Sequence, residues 1–456
     1  MPTNPVAQTT QSPIVFDQIL EPIADFVNRQ NTQLTKHHNE KLVYAQFFRV
    51  LIYFFVSGSG ALKLFINTRL NHGLLSDTLG LYSIPYSTFM EGFTRFSPHL
   101  FRDVFQYLLK NLPFKAVPDF AALGILCCVD GSLFPVINSM LWAEYTRHHQ
   151  ALKLHLCFEL NRMIPVDFQV GSGNSSERDA LLSMATAGVT YIADRGYMSF
   201  KLCYELLQKE AFFIFRVKEN LIYTTIKDLP VDLPDSVSNV FAQVSDELMG
   251  YANDPHQKTY RLVRFSVNHE LYLLLTNRLD LTTFQVIMLY AYRWQIELLF
   301  RFLKRTMNGI HLVRHDATGV TIQFYAMLIV ALLQLHLKQR VLDLDDVADH
   351  TDTLSAEKED ISMPQESPAD SPLSAVESRP HDREKPDTPS DNDTLPELKN
   401  KPCASSRLGG EADFFAILGK AVKTYWKIGI HWLTALRDLL ASPFDNRVIE
   451  ILRNTT

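Results

Sequence analysis

The fold of this chain is decided by residues 124–132, which read GILCCVDGS. The apolar run Gly124–Val129 has the length of a buried strand and leads directly into Asp130 and Gly131. A second short apolar run, at 189–193, leads in the same way into Asp194. Short apolar runs bounded by turn residues are typical of strands that are covered on both faces. We therefore predict two buried strands that each end in an aspartate.

The elements around these two strands predict an α/β fold, with a sheet flanked by helices. Alternating and apolar patterns follow one another in the order three strands, helix, strand, helix, strand, and this order is typical of that class. Ser176 and Glu177 are suited to open the first of the helices. Besides the two strands already given, the predicted elements are at 152–160, 163–170, 176–184, 200–210 and 211–217.

The charge of the chain is unevenly distributed. The 456 residues include 44 basic and 50 acidic side chains, which gives a net charge of −6. Residues 341–400 alone hold 17 acidic and 5 basic side chains, so the remainder carries a net charge of +6. Residues 351–400 also contain seven prolines, seven serines and no aromatic residue. Such a segment cannot bury enough apolar surface to order itself, while a mildly basic remainder permits binding to a polyanion.

Several classes of protein are disfavoured by composition. Five cysteines in a 52.2 kDa chain are too few for a disulfide scaffold, and they lack the spacing of a zinc site. The first thirty residues lack the layout of a signal peptide. The longest apolar stretches, around 47–56 and 326–335, are shorter than a bilayer span. We therefore expect a cytoplasmic protein with reduced thiols and no membrane insertion.

Asp130 and Asp194 are the first candidates for chemistry. A buried carboxylate is costly unless it is paired or bound to a metal. At the exit of a central strand it can face the crevice in which α/β sheets hold their ligands. Each aspartate alone is weak evidence, because turns and helix caps also use aspartate.

A long helix with no glycine or proline before Gly309 is predicted after the capping-box sequence at 282–285. At about 100° per residue, Tyr290, Arg293, Glu297 and Lys304 lie in one stripe roughly 60° wide. A surface helix with an ion pair four residues apart would explain Arg293 and Glu297. It would not explain why Tyr290 and Lys304 share their stripe.

These residues together resemble a known family. The segment YAYRWQIELLFRFLKRTMNG at 290–309 resembles the Y-R-E-K motif of the DDE transposases of insertion-sequence family four. CCVDGS at 127–132 and YIADRGY at 191–197 are similar to the surroundings of the two catalytic aspartates of that family. The resemblance covers about residues 40–340. It implies a ribonuclease-H-like catalytic core, a mixed sheet flanked by helices.

The resemblance implies that Asp130, Asp194 and Glu297 form the catalytic triad and bind two Mg²⁺ ions, for which Mn²⁺ would substitute. Electrostatics agrees with a metal, because two carboxylates about 4 Å apart repel by roughly 4 kcal/mol at an effective dielectric of 20. Hard cations with oxygen ligands would offset this repulsion and support in-line displacement at phosphorus. Hairpin intermediates at the DNA ends are implied by the family alone.

Further side chains are expected to contact DNA. Arg293 and Lys304 would hold phosphates, and Tyr290 would contact backbone or sugar. Alternation places Arg216 and Lys218 on one face of the strand at 212–218, where both are weaker phosphate candidates. Tyr272 is one of several aromatic residues that could stack on an extruded base. The remaining polar strand residues of interest, Lys153 and His155, are interpreted as structural.

The chain is predicted to divide into seven parts. Within the second part, an apolar segment at 74–79, a turn at 80–85 and a candidate capping box at 88–91 have helix-turn-helix spacing, which leaves DNA contact and plain packing both open. In the fourth part, strand-like segments at 260–267 and 270–275 flank Asn268 and His269, which predicts a hairpin. The divisions are a loose N-terminus at 1–14, a helical DNA-binding domain at 15–115, the first part of the core at 116–220, a β-rich insertion at 221–280, the second part of the core with Glu297 at 281–340, an acidic disordered linker at 341–410 and a C-terminal helical segment at 411–456.

The leading hypothesis from the sequence is a transposase of a bacterial-type insertion sequence. It would bind double-stranded DNA at the inverted repeats of its element and at the target, as a homodimer, and lie on the nucleoid of a prokaryotic cytoplasm. One alternative is a catalytically silent, transposase-derived DNA-binding or regulatory protein. Another is a ribonuclease-H-like nuclease that cuts without strand transfer.

Overall fold

The structure is a computed structural model, and the residues it describes make up an N-terminal helical region and a large mixed sheet with its helices. Described are residues 13–35, 41–56, 61–70, 82–137, 140–146, 149–235, 241–267, 270–306, 312–336 and 339. The predicted acidic linker at 341–410 and the predicted helical segment at 411–456 lie outside the described residues, as does nearly all of the predicted loose N-terminus.

The N-terminal region is helical, as predicted, and its core is aromatic. Phe47 lies at the centre of this core, with ring centroids 4.9–6.1 Å from those of four other phenylalanines, Phe89, Phe93, Phe96 and Phe101. The helices are α1 (Pro13–Gln33), α2 (Tyr44–Val56), α3 (Leu62–Leu64, continued by a π-helical turn at Phe65–Leu70), α4 (Tyr86–Arg95) and α5 (Pro98–Asn111).

The capping box predicted at 88–91 is absent. Helix α4 begins at Tyr86, after Pro85, and no side chain caps it. Pro85 takes the N-cap position, so the helix starts three residues earlier than a cap at Thr88 would place it. Within α4, a Cβ at Gly92 would lie 2.6 Å from the Phe47 ring, so close packing of α2 and α4 requires glycine there. The preceding helix predicted at 74–79 lies outside the described residues.

Among the described residues, the sheet has ten strands in the order β2-β3-β1-β5-β6-β10-β9-β8-β7, with β4 also paired to β3. Strands β1, β5 and β6 pair in parallel, and the other pairs are antiparallel. The strands are β1 (Ile125–Pro135), β2 (Glu144–Thr146), β3 (His149–Glu159), β4 (Ile164–Ser172), β5 (Val189–Ala193), β6 (Phe212–Arg216), β7 (Thr224–Asp228), β8 (Ala242–Gly250), β9 (Thr259–Val267) and β10 (Glu270–Thr276).

Helices pack on the parallel part of this sheet. Helices α6 (Glu177–Met184) and α7 (Phe200–Gln208) share a buried apolar cluster with β1, to which Val129, Leu181 and Leu202 belong. Ser176 caps α6, as predicted. Because side chains alternate along a strand, Cys128 and Asp130 face the opposite side from Val129. The predicted α/β class, a mixed sheet flanked by helices that is consistent with a ribonuclease-H-like core, is confirmed.

The β-rich stretch at 221–280 continues the same sheet. Its last strand, β10, pairs with β6 of the core through Leu274 and Arg216. Strands β9 and β10 form the predicted hairpin, with Val267 opposite Glu270, and the two residues between them lie outside the described part of the chain.

The prediction of one uninterrupted helix after residue 282 was wrong. The capping box of Thr282 and Gln285 is present, but α8 (Thr283–Ala291) ends before α9 (Trp294–Arg301) begins, and a π-helical turn at Phe302–Thr306 follows. Between the two helices, Arg293 N–H donates to the Tyr290 carbonyl at 3.1 Å. This hydrogen bond spans three residues, one fewer than the hydrogen bonds of an α-helix. Buried Tyr292 packs edge-on against Phe120, with ring centroids 5.1 Å apart. Tertiary packing at this joint overrides the helical preference of the sequence.

Helix α10 (Ala317–His336) contains the apolar stretch at 326–335. With 20 residues, it is long and apolar enough to cross a bilayer by length and composition, so the expectation that every apolar stretch is too short was wrong. However, 72% of its apolar window is buried inside the protein. Phe324 of this helix packs against Phe134 and Phe168, with ring centroids 5.2 and 6.4 Å away. The burial accounts for its apolar composition as that of a core helix.

Candidate active site

The two aspartates lie side by side at one edge of the parallel sheet. The pairing of β1 with β5 ends at Cys128 opposite Ile192, and Asp130 and Asp194 each lie two residues further on. The equal offset places both side chains on the same face. Each carboxylate accepts a hydrogen bond from the next backbone N–H, at 2.8 Å for Gly131 and 2.6 Å for Arg195.

Asp130 does not end its strand, contrary to the prediction. Strand β1 continues to Pro135, because β3 stays paired with it, and Asp130 lies opposite Leu156. Glycine at 131 does not break the strand, since it stays paired with His155 of β3. Asp130 therefore stands on a rigid strand at the point where β1 loses its β5 neighbour, which is where a crevice opens.

Arg293 joins Glu297 to Asp130. Its Nη2 lies 2.7 Å from the Glu297 carboxylate and its Nη1 lies 3.9 Å from Asp130 Oδ2. The ion pair four residues apart that a surface helix would explain is therefore present, but the same guanidinium also reaches the aspartate on β1. Arg293 Nε is buried and has no hydrogen-bond partner among the described residues. The joint between α8 and α9 thus places a cation between two of the three predicted acids.

The negative charge of the Asp130 carboxylate is only partly offset by nearby positive charge. Burial raises its pKa to about 6; Arg293 and the Gly131 N–H lower it, and the neighbouring charges of Glu297 and Asp194 raise it again. Burial would lower the pKa of Arg293, but Tyr290, Glu297 and Asp130 together hold it above its usual value. One arginine therefore offsets only part of the negative charge at this edge of the sheet.

The donor set suits a hard divalent cation in its chemistry. Carboxylate oxygens are the ligands that Mg²⁺ and Mn²⁺ prefer, and a buried carboxylate with a raised pKa gains from such a neighbour. Among the described residues, no three His, Cys, Asp or Glu side chains converge closely enough to hold one ion. Asp130 and Asp194 fit the role as they stand. Glu297 fits it only once its carboxylate leaves Arg293.

Lys304 has a structural contact in addition to its predicted role. Its Nζ donates to the Leu133 carbonyl of β1 at 2.8 Å and lies 4.7 Å from the centre of the Phe134 ring. Tyr290 is buried, and its ring lies 5.8 Å from the Arg293 guanidinium. Both residues thus lie near the aspartates, but each is already engaged within the protein.

Lys304→Ala is expected to weaken DNA binding and to lower the slope of log K against log salt by about 0.9, the value for one lost phosphate contact. Loss of a hydrogen bond from a charged group should also cost about 1.5–3 kcal/mol of stability. Fluorescence anisotropy across a salt series measures the slope, with the exposed Lys201→Ala as the control. An unchanged salt slope together with lower stability would show that Lys304 contacts no phosphate and only links the π-helical turn to β1.

The weaker DNA candidates lie further along the sheet. Arg216 is buried and forms an ion pair with Glu270 at 2.5 Å, and its guanidinium lies 4.2 Å from the centre of the Tyr272 ring. Tyr272 also stacks on Phe265 at 5.2 Å, so a base that stacked on Tyr272 would meet a ring that already has two partners. Lys218 is exposed beyond the end of β6, so it does not share the strand with Arg216 as predicted.

The residues that sequence reasoning missed lie behind the aspartates. Glu177 was interpreted only as a helix-opening acid, and Lys153 and His155 as structural residues. In the structure, Lys153 Nζ lies 3.0 Å from Glu177 Oε1, and a Cβ at Gly131 would lie 3.5 Å from the same oxygen. No sequence spacing connects 177 with 131, since the contact depends on how α6 packs on the sheet.

Comparison with known proteins agrees with this geometry. The family model for the transposase DDE domain matches residues 123–333, which begin just before β1 and end within α10. A curated Sinorhizobium fredii protein named as a transposase is 24% identical over 218 residues, 46% of this chain and 61% of its own length. A Geobacillus stearothermophilus protein named as a transposase for an insertion sequence element is 23% identical over 197 residues, 43% of this chain and 52% of its own length.

The matched region contains both aspartates, the joint at Arg293, and Glu297. Residues 123–333 therefore match a transposase DDE domain, and their mixed sheet is consistent with a ribonuclease-H-like core. The similarity to the two curated transposases is at low identity, and the chain spans only 61% and 52% of their lengths.

Proposed function

We propose that this chain is the transposase of an insertion sequence, with Asp130, Asp194 and Glu297 as its catalytic acids. It would bind the inverted repeats at the ends of its element, break DNA strands in a metal-dependent reaction and join the freed 3′-hydroxyl ends to target DNA. The observation that carries the proposal is the meeting of Asp130 and Asp194 on one sheet edge, with Arg293 linking Asp130 to Glu297.

The residues present would hold divalent ions, Mg²⁺ by preference, through Asp130 and Asp194, with Glu297 as the third ligand. When bound, such ions supply Lewis acidity that activates a water or a 3′-hydroxyl and stabilises the leaving oxygen at phosphorus. Glu297 becomes free for this role when Arg293 turns to a DNA phosphate, since a guanidinium binds phosphate as well as carboxylate. Arg293 would then orient the scissile strand, and Tyr290 beneath it would keep the guanidinium in place.

The finer assignment to insertion-sequence family four rests on the spacing of Tyr290, Arg293, Glu297 and Lys304. Hairpin ends, a homodimer on paired DNA ends and a place in a prokaryotic cytoplasm belong to the same proposal. Arg216 and Lys218 would extend the phosphate contacts away from the aspartates. The role of residues 15–115 in recognising the repeats is likewise proposed, because their aromatic core accounts for packing without assigning any DNA contact.

The test is a cleavage and joining assay with the full chain. The DNA would carry the inverted repeats that flank the gene, with a plasmid as target and Mg²⁺ or Mn²⁺ present or omitted. We expect nicks and joined products only when the ion is present. Cleavage without joining would favour a ribonuclease-H-like nuclease, and binding without cleavage would favour a silent DNA-binding protein.

Glu297→Gln is expected to lower nicking about 10²-fold, because the amide keeps the shape but offers a weaker, uncharged ligand. Binding to DNA ends, measured by gel shift, should change little, since the amide oxygen of the new side chain can still accept a hydrogen bond from Arg293. The matched control is Glu205→Gln on the surface of α7, which should nick at the normal rate. Normal nicking by the Glu297 variant would remove this residue from the catalytic acids.

A further inference from the structure

A second polar group lies behind the two aspartates, on the side of the sheet that α6 and α7 cover. We call Lys153, His155, Glu177 and Tyr197 the rear polar group. Lys153 and His155 come from β3, opposite Leu133 and Gly131 of β1, whereas Glu177 begins α6 and Tyr197 follows the turn after Asp194. Three separate elements thus bring polar side chains to the rear of β1 at Gly131 and of the turn after Asp194.

Glu177 lies against β1 beside Asp130 and against the turn after Asp194. A Cβ at Gly131, the residue after Asp130, would lie 3.5 Å from Glu177 Oε1, and a Cβ at Gly196, two residues after Asp194, would lie 2.5 Å from Glu177 Oε2. Lys153 Nζ holds the first oxygen at 3.0 Å. The Glu177 carboxylate therefore fills the gap between β1 and the turn after Asp194, and glycine is needed at 196 to leave room for it.

The rear polar group also contains buried atoms that lack partners. His155 is 1% exposed, and its Nε2 lies 2.8 Å from Ser175 Oγ while Nδ1 has no hydrogen-bond partner among the described residues. Tyr197 is 1% exposed and its hydroxyl likewise lacks a described partner. Burial raises the pKa of Tyr197, and the charges of Asp130, Glu177 and Asp194 raise it further. A buried polar atom without a partner usually marks a missing water or ion.

We propose that Glu177 is a positioning residue of the metal site, and this inference rests on the proposed function. Paired with Lys153, it holds β1 at Gly131 against the turn after Asp194 and so fixes the spacing between the two aspartates. A residue that holds metal ligands in place in this way contributes to metal affinity without binding the ion itself.

Calorimetric titration of the full chain with Mn²⁺ alone tests this without any turnover. Glu177→Gln is expected to weaken Mn²⁺ binding about 10–100-fold, the usual range for a residue that supports a metal ligand from behind. Asp179→Asn is the matched control, because it removes the same charge from an exposed position in the same first turn of α6. Its affinity should equal that of the unaltered chain, and Glu177→Asp should recover part of the loss.

Gly196→Ala provides a second variant that keeps the Glu177 charge. The new Cβ can be accommodated by the far end of the flexible Glu177 side chain, so the fold should survive while the carboxylate is displaced. We expect Mn²⁺ affinity to fall as in Glu177→Gln. In the double variant Glu177→Gln with Gly196→Ala, the two losses should not add, because both act on one contact.

The outcomes separate this inference from the proposed function. If the unaltered chain binds Mn²⁺ and Asp130→Asn abolishes that binding, while Glu177→Gln and Gly196→Ala both bind within twofold of the unaltered chain, the positioning role is overturned and the proposed function stands. If the unaltered chain and Asp130→Asn give the same absence of binding, both fail. A loss in both Glu177→Gln and Gly196→Ala, but not in Asp179→Asn, supports the inference.

Discussion

Asp130→Asn is expected to lower metal-dependent DNA cleavage by about 10³-fold or more and, at the same time, to raise the melting temperature of the metal-free protein at pH 7–8. The loss of activity follows because a bound metal ion contributes several kcal/mol to phosphoryl transfer, and about 1.4 kcal/mol corresponds to a factor of ten. The gain in stability is the less intuitive half of the result, and it comes from the burial of Asp130.

The sign follows from the pKa. Burial raises the pKa of Asp130 from its usual 3.8 to about 6, so the folded protein binds this proton more tightly than the unfolded chain. The corresponding stability is fully present below pH 3.8 and is lost as the pH rises through 6. Above pH 7 the ionised carboxylate costs up to about 3 kcal/mol, at about 1.36 kcal/mol per pKa unit. Asparagine cannot ionise, so the metal-free variant should melt a few degrees higher.

Thermal unfolding with and without 10 mM Mg²⁺ or Mn²⁺ separates the two effects. The ion should stabilise the unaltered chain, by about 2.7 kcal/mol at a hundred times the dissociation constant, and should leave Asp130→Asn unchanged. Asp167→Asn is the matched control, because burial also raises the pKa of Asp167 and the Phe168 N–H binds its carboxylate at 2.8 Å. It should keep both nicking and the response to metal. An Asp130 variant that nicks normally, or that still gains stability from the ion, would contradict the assignment.

The sequence was sufficient to predict the strands of the core because they are short apolar runs separated by turn residues. The strands at 124–129 and 189–193 were predicted in this way, and so was the hairpin around residue 268. The length of β1 was not, since Gly131 suggests an end while the pairing partner β3 keeps the strand going. The break at Tyr292 was also missed, because nothing in a helical pattern reveals that one ring must pack against Phe120.

In the candidate site, local motifs could likewise be found from the sequence, whereas contacts between distant residues could not. Asp130, Asp194 and Glu297 could be selected as candidates from the sequence, because their surrounding motifs resemble those of a known family. Arg293 contacts Asp130, and Lys304 contacts the Leu133 carbonyl, across more than a hundred positions of sequence. Glu177 lies close to Gly131, which is several tens of positions away in the sequence. Such contacts depend on the register of the sheet and the docking of helices, which spacing alone does not fix.

A buried ion pair in the insertion also could not be predicted from the sequence. Breaking this pair is the change with the largest expected effect on stability. Asp246 of β8 is fully buried and binds Arg261 of β9 through two bonds, Nε at 2.9 Å and Nη2 at 2.5 Å. Thr283, the first residue of α8, donates to the same carboxylate at 2.8 Å. Arg261 Nη1 donates to two backbone carbonyls, at 3.0 and 2.6 Å. The pair thus links the insertion strands to the helix that leads toward Glu297.

Asp246→Ala is therefore expected to destabilise the protein by about 3–5 kcal/mol, since it leaves the Arg261 charge buried without its partner. Urea unfolding followed by fluorescence measures the loss. The double variant Asp246→Leu with Arg261→Met should recover part of it, because removing both charges also removes their cost of burial. Recovery should remain incomplete, since the two carbonyls that Arg261 now binds would lose their donor.

The exposed pair of Lys201 and Glu205 provides the comparison. These side chains lie 3.8 Å apart and Lys201 is 80% exposed, so Lys201→Ala should change stability by less than about 0.5 kcal/mol. If Asp246→Ala costs no more than this control, water must reach Arg261 in solution and the insertion must be loosely joined to α8. If the double variant is as unstable as Asp246→Ala, the carbonyl contacts of Arg261, rather than its charge, hold this part of the sheet to the helix.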